Sequence, residues 1–474
     1  MSPSTSKQLD RLADTLRRTV DADRVVTSGP DYDAGATVWN GAVPHRPGVI
    51  VRCTGPADAR AAVLAAQEFG LPLSVRGGGH DWAGRALTDG GVTVDLSGLR
   101  HVQVDPAAAV AQVAGGATAA DLVTAAQPFG MTAAAGTAGA AGMVGQSLGG
   151  GYGPLSGRFG LALDNVLSAD VVLPDGSLVT TDAEQEPDLF WALRGGGGNF
   201  GLVTAMRVRL HAVPTLLSGT ILFPWTQAAT VLARLEEFVP DGPDELTVQC
   251  GILDGPEGAP VVFVAPTWSG DDARAGERAL AQLQALGEPL VARLCPTSMP
   301  DLLAGTDARF PFGRHVEIRP RIVAALDSSV RAALHDAGNA LTSPLSAVSL
   351  HSLHGAAARV PATATAFANR TPHLTAEAIA VWEPGDAREH EHRAWARSLS
   401  AALRPAALPG GCPDLLGPDE TEQVAHAYGL NAERLLAAKR RFDPDDVFRA
   451  TSLPTRPGTP PDRAPEAGSS VNRS

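Results

Sequence analysis

Two stretches hold residues whose types and spacing could do chemistry. The first is V-R-G-G-G-H at 75–80. The second, at 136–153, reads G-T-A-G-A-A-G-M-V-G-Q-S-L-G-G-G-Y-G. Glycine this dense lets backbone N–H groups approach an anion, because no Cβ stands in the way and positive φ is open. Two such loops, separated by a strand-rich segment, could grip the ends of a pyrophosphate-containing cofactor, with His80 a nucleophilic imidazole at the lip. The plainer alternative is a glycine turn followed by an ordinary histidine. Only three tyrosines occur, Tyr32, Tyr152 and Tyr428. A phenol of ordinary pKa ~10 is a poor base at neutral pH, so a catalytic tyrosine needs positive charge or hydrogen bonds nearby.

Rigid elements must hold such loops. The first is preceded by a strand pattern at 49–53, a helix at 58–69 and a strand at 73–76 that runs into the glycines. Pro56 marks the start of that helix and Gly70 its end. Alternation predicts strands at 91–96, 101–104 and 110–113, then a helix at 121–129. A strand at 166–173 turns through P-D-G into 177–181, and a short helix at 187–193 precedes a strand at 202–210. Another helix, 8–20, opens the chain. Gly196, Gly198 and Gly201 fit the spaced glycines of a dinucleotide fingerprint. That fingerprint needs a strand before and a helix after, and the reversed order here excludes a Rossmann site. Beyond Pro214, strands at 218–223, 246–253, 260–268, 315–318 and 378–382 alternate with helices at 227–239, 273–286 and 328–339. They predict a sheet with an open face that could roof a cofactor. A helix at 431–441 stops at F-D-P-D-D, where proline bars continuation. The fold class is α+β rather than a doubly wound parallel sheet.

Four motifs in order carry a resemblance: R-G-G-G-H-D-W-A-G, D-G-G-V-T-V-D-L-S-G-L, L-G-G-G-Y-G and D-L-F-W-A-L-R-G-G-G-G-N-F-G-L-V-T. With A-Y-G-L-N near the C-terminus, the chain resembles FAD-linked oxidases of the vanillyl-alcohol oxidase type (PCMH-type FAD domain), in the berberine-bridge-enzyme-like and oligosaccharide-oxidase branch. The resemblance implies an N-terminal helix and lead-in at 1–43 and a two-lobed FAD-binding domain at 44–213. It implies a substrate domain at 214–409, with an antiparallel sheet covered by helices, and a C-terminal segment at 410–455 packing back on the FAD domain. The Pro- and Ser-rich tail, 456–474, is expected to be disordered. By the same resemblance His80 bonds covalently to FAD. The FAD-holding residues would be Arg76, Gly77, Gly78, Gly79, Asp81, Gly136, Thr137, Gly142, Gly145, Gly149, Gly150, Gly151, Val203 and Asn431. Tyr428 and, second, Tyr152 become the candidate catalytic bases. Many relatives hold FAD by a second bond from a cysteine at the position of Ala138, with proline where Gly139 stands, so a single attachment is expected. Cys53, Cys250, Cys295 and Cys412 all lie far from that loop in sequence, which argues against a substitute thiol. Double attachment goes with open sites for bulky sugars, so its loss weakens a carbohydrate reading.

Composition bounds the rest. The 474 residues are 44% hydrophobic with a formal net charge of −13, which disfavours nucleic acid or an anionic membrane as partner. The four cysteines have neither zinc spacing nor a disulfide framework, and no metal is expected. Without a signal-peptide pattern or a run of ~18 apolar residues, the chain is expected to be soluble and cytoplasmic, a monomer or homodimer. Gln249, Glu317, His351, His354, Glu377 and Trp382 place polar groups within apolar strands and are the substrate-pocket candidates. The expectation is an FAD-dependent oxidase that takes hydride from a C–H next to oxygen or nitrogen of a small natural product and passes electrons to molecular oxygen, giving hydrogen peroxide. The rivals are a non-covalent FAD reductase using a nicotinamide, a carbohydrate oxidase, and a non-redox binding module.

Overall fold

The computed structural model describes residues 3–213, 215–238 and 242–454. The tail expected to be disordered, 456–474, lies outside them. The chain is α+β, and among the described residues its strands form four sheets.

In the first sheet, Val49–Arg52 and Leu73–Arg76 flank Val92–Asp95 in parallel, and Val25–Val26 adds antiparallel to Val49–Arg52. Parallel neighbours need a crossover, supplied here by the helix Pro56–Glu68. Its buried Ala59, Ala62, Val63 and Ala66 recur at i, i+3, i+4 and i+7, one apolar stripe. The opening helix, Pro3–Leu16, lays Leu9, Leu12 and Leu16 into the same core.

The second sheet is antiparallel, in the order Val102–Asp105, Val110–Ala114, Leu202–Arg209, Val166–Val172, Leu178–Thr181. It packs on the helices Ala119–Ala126, Met143–Gly149 and Pro187–Gly196, and its core takes in Tyr428, Leu435 and Phe442 from the far end of the sequence. Thr118 caps the first of these helices. Its hydroxyl accepts from the Asp121 N–H (3.2 Å) while the Asp121 carboxylate accepts from the Thr118 N–H (2.8 Å).

The largest sheet has seven antiparallel strands, ordered Val291–Thr297, Leu216–Pro224, Pro260–Trp268, Leu246–Asp254, Ala347–Leu353, His373–Trp382, His315–Val323. The helices Ala228–Phe238, Ala273–Gln284, Ser328–Asn339 and Glu389–Leu403 cover one face, burying Val248, Ile252, Val348, Leu350, Ala376, Ala378 and Trp382. With a side-chain period of two, the alternate residues Gln249, Ser349, His351, His373, Thr375 and Glu377 belong to the opposite face. That face looks onto the glycine loops. No described helix is long and apolar enough to cross a membrane, and no metal-binding cluster occurs among the described residues.

Candidate active site

One cavity of about 800 Å³ lies between the glycine loops and the uncovered face of the large sheet. Gly77, Gly78, Gly79, His80 and Asp81 line it from the first loop. Gly136, Thr137, Gly142, Gly145, Gly149, Gly151 and Tyr152 line it from the second. Absence of a side chain is required at Gly78, where a Cβ would stand 2.4 Å from the Gly142 nitrogen, so the two loops touch backbone to backbone. At Gly145 a Cβ would meet nothing within 4 Å and would project into open space.

The lead-in segment fixes His80. The Trp39 N–H donates to the Gly79 carbonyl (2.8 Å), and the Trp39 indole stacks on the His80 ring at 4.4 Å and 14°. Asn40 ties both to the large sheet: its amide donates to the carbonyls of Trp82 (2.6 Å) and Val316 (2.8 Å) and accepts from the Val316 N–H (2.9 Å). Burial lowers the His80 pKa to about 4, against the opposing pull of Asp307 and Asp81. At neutral pH the imidazole is therefore uncharged, and one ring nitrogen keeps a free lone pair. Asp81 is paired with Arg85 (2.6 Å), and Arg85 Nη2 also donates to the Asp414 carbonyl (2.8 Å). Arg85 Nη1 is buried without a partner.

The sheet wall carries a polar track. Gln249 donates to Ser349 Oγ (2.8 Å), Ser349 Oγ lies 3.0 Å from His351 Nε2, and that nitrogen lies 3.7 Å from Glu377 Oε1. Register explains the grouping, since Gln249 pairs with His351 and Ser349 with Glu377. Burial lowers His351 to about 4 and, with the charge of Asp414 added, raises Glu377 to about 8. Asp414 is raised too, mainly by burial, and accepts from the Cys412 thiol (2.8 Å). Tyr152 also lines the cavity, its hydroxyl 2.9 Å from His373 Nε2, with a pKa that burial holds well above the phenol range.

Several expected positions fall elsewhere. Val203 lines the cavity, as do Gln249, His351 and Glu377, but Arg76, Gly150, Asn431, Tyr428, Glu317 and Trp382 do not. The Arg76 guanidinium turns to Asp95 (2.9 Å) and the Thr37 carbonyl. Asn431 donates to the carbonyls of Ala362, Thr365 and Ala366. Tyr428 is 1% exposed, packs in the core and donates to the Ser452 carbonyl (3.2 Å), and burial raises its pKa. Trp382 and Glu317 sit on the wrong parity of their strands and face the helices; Glu317 is held there by Arg319, Arg393 and Arg397. His354 is engaged with the Leu246 carbonyl and Ser352. Two cysteines lie nearer the glycine loops than their sequence positions imply. Cys412 and Cys295 line the cavity, and Cys412 Sγ would lie 3.6 Å from a Cβ on Gly150, in the second glycine loop. Sequence distance hid this, as it hid Trp39, His373 and Asp414, which carry no motif of their own.

A model of FAD binding domains matches residues 47–182, and a model of berberine and berberine-like proteins matches 416–452. The chain is 32% identical over 428 residues to the FAD-linked oxidoreductase aurO of Gibberella zeae, covering 89% of this chain and 83% of that one. It is 31% identical over 441 residues to (R)-6-hydroxynicotine oxidase of Paenarthrobacter nicotinovorans, covering 88% and 93%. The crystal structure of 6-hydroxy-D-nicotine oxidase from Arthrobacter nicotinovorans superposes with a TM-score of 0.82 at 30% identity, over 90% of this chain and 96% of that one. The wall residues fit such a cofactor. The partnerless Arg85 Nη1 offers a buried cationic donor on the cavity wall, and Gly145 leaves room that any side chain would take.

Proposed function

The chain belongs to the FAD-linked oxidoreductases with a berberine-like C-terminal segment, and on that premise we propose that it is an oxidase of a small, nitrogen- or oxygen-bearing natural product, with His80 as the flavin attachment point and Glu377 as the proton acceptor. When bound, FAD supplies the acceptor for hydride from a substrate C–H and returns the electrons to molecular oxygen, giving hydrogen peroxide. The observation that carries the reading is that His80 and Glu377 line one cavity from two different walls.

His80 suits attachment because its ring is uncharged at neutral pH and its plane is fixed by the Trp39 stack. Ala138 offers no thiol, and burial keeps Cys412 protonated, well above the usual thiol range. Both support a single bond to the flavin. Glu377 suits proton removal because its pKa of about 8 lies near neutrality, where a base combines availability with driving force. The neighbouring His351 ring, 3.7 Å away, is uncharged and so does not pair with that carboxyl as an ion. The likeness to (R)-6-hydroxynicotine oxidase supports a substrate whose reacting carbon is bonded to nitrogen, and the missing cysteine supports a compact molecule over a bulky sugar.

Acid denaturation of the purified holoprotein tests the attachment. Yellow colour is expected to stay with the pellet, with the intact mass raised by one flavin, and to be released in His80→Ala. Anaerobic bleaching against a panel of amines, alcohols, phenolic polyketides and sugars tests the chemistry. Bleaching by sugars alone would overturn the substrate class.

A further inference from the structure

The strand that carries Glu377 also carries, on the same face, a histidine to which no motif assigns a role. His373 is 4% exposed, and both of its ring nitrogens are engaged. Nδ1 lies 2.7 Å from the Thr371 carbonyl, and Nε2 lies 2.9 Å from Tyr152 Oη. A carbonyl oxygen only accepts, so Nδ1 carries the ring proton. Burial lowers the ring's pKa to about 4, so near neutral pH no second proton is present and Nε2 is a bare acceptor. The one proton of the Tyr152 hydroxyl must then point at His373. What remains on that oxygen is lone pairs, with the Thr375 hydroxyl the other side-chain group set against it.

We propose that His373 is a positioning residue that fixes Tyr152 as an obligate hydrogen-bond acceptor, so that the cavity wall at Tyr152 selects a ligand presenting an O–H or N–H. The selection has a direction, which rests on the oxidase reading above. An alcohol or amine brings the proton that Tyr152 accepts. Its carbonyl or imine product has lost that proton, would face only lone pairs, and is disfavoured. The groups packed around the phenol keep it a phenol: burial dominates, Cys412 and Asp414 add to it, and Thr375 and Arg370 offset only part. The Tyr152 ring is held edge-on to Phe367 at 6.1 Å, so the hydroxyl cannot swing far from its partner.

The test uses the full-length holoprotein with 15N-labelled histidine, read by ring 1H–15N spectra. His373 is expected to show a protonated Nδ1 and a bare Nε2 from mildly acidic to mildly alkaline pH, with the Nε2 resonance moving in Tyr152→Phe. Phenol and its methyl ether, anisole, are then titrated into the parent and each variant by calorimetry, which needs neither turnover nor a resonance of His373. Phenol is expected to bind about tenfold tighter, the scale of one hydrogen bond to a buried acceptor left unmade by anisole. In His373→Phe the freed hydroxyl can donate, and the ratio should fall to about twofold or less. His373→Gln, whose side-chain carbonyl still accepts, should recover part of it. A protonated Nε2, equal affinity for the two probes, no binding of either, or an undiminished preference in His373→Phe would each overturn the proposal. A chain that fails to retain flavin or to bleach would overturn the oxidase reading and leave these spectra unaffected.

Discussion

On the proposed role of Glu377 as proton acceptor, one property, a raised pKa, acts in two directions. Its folded value of about 8 lies above the ordinary carboxyl value of 4.5. Only the ionised form takes a proton from substrate, so kcat/KM should climb about tenfold per pH unit below about 8 and level off above it. Glu377→Gln should lower kcat by ~10²–10⁴ and remove that limb, read by anaerobic flavin bleaching. Stability runs the other way. A folded pKa above the unfolded one contributes stability that is complete below about 4.5 and is lost as pH rises through about 8. The Gln variant should therefore melt higher than the parent in alkaline buffer and show little difference in acid, by calorimetry. Tyr428 supplies the contrast. Its hydroxyl spends its proton on the Ser452 carbonyl inside a core, so Tyr428→Phe should cost about 1 kcal/mol of stability and leave the rate of flavin reduction unchanged. The Y-G-L-N motif identified a tyrosine of the right region but could not say which way it points, because that depends on packing by residues more than two hundred positions away.

At the level of elements, legibility followed apolar patterning. Strands such as Leu246–Asp254 and Pro260–Trp268 stood where the pattern put them, because short apolar runs rich in β-branched residues and bounded by Gly and Pro mark a buried strand in the sequence. The edge strand Val291–Thr297 was missed: it lies half in solvent and has no buried face to write. The helix Glu389–Leu403 was missed as well, its buried Trp395, Ala396, Leu399 and Leu403 diluted by charge. That helix explains the most misleading candidate. Glu317 reads as a polar group stranded in an apolar strand, yet its partners, Arg393 and Arg397, come from an element absent from the prediction. Its carboxyl is held below the usual range; burial opposes ionisation, but the three arginines outweigh it. Removing it leaves Arg319, which is 7% exposed, with only its C-terminal partners Asp419 and Glu420. Glu317→Ala should thus destabilise the fold by about 3 kcal/mol, measured by urea unfolding, while the flavin spectrum of the folded fraction stays normal.

For the molecule as a whole, the motifs located the glycine walls, while the sheet wall emerged only from topology. Parity along seven strands decides which of Gln249, Glu317, His351, Glu377 and Trp382 face inward, and a single sequence offers parity without saying which side is in. The cavity also recruits residues from both ends of the chain, from Trp39 to Thr451. The enclosure is incomplete until the segment beyond residue 409 packs back, since Phe448 to Thr451 complete the wall. Chains ending at residue 409 should accordingly come out colourless, however well their earlier parts fold, which absorbance of the purified truncation would reveal. If the proposed bond at His80 needs that closed wall, it forms only on chains whose closing segment has packed, and flavin bound irreversibly becomes a record of completed folding.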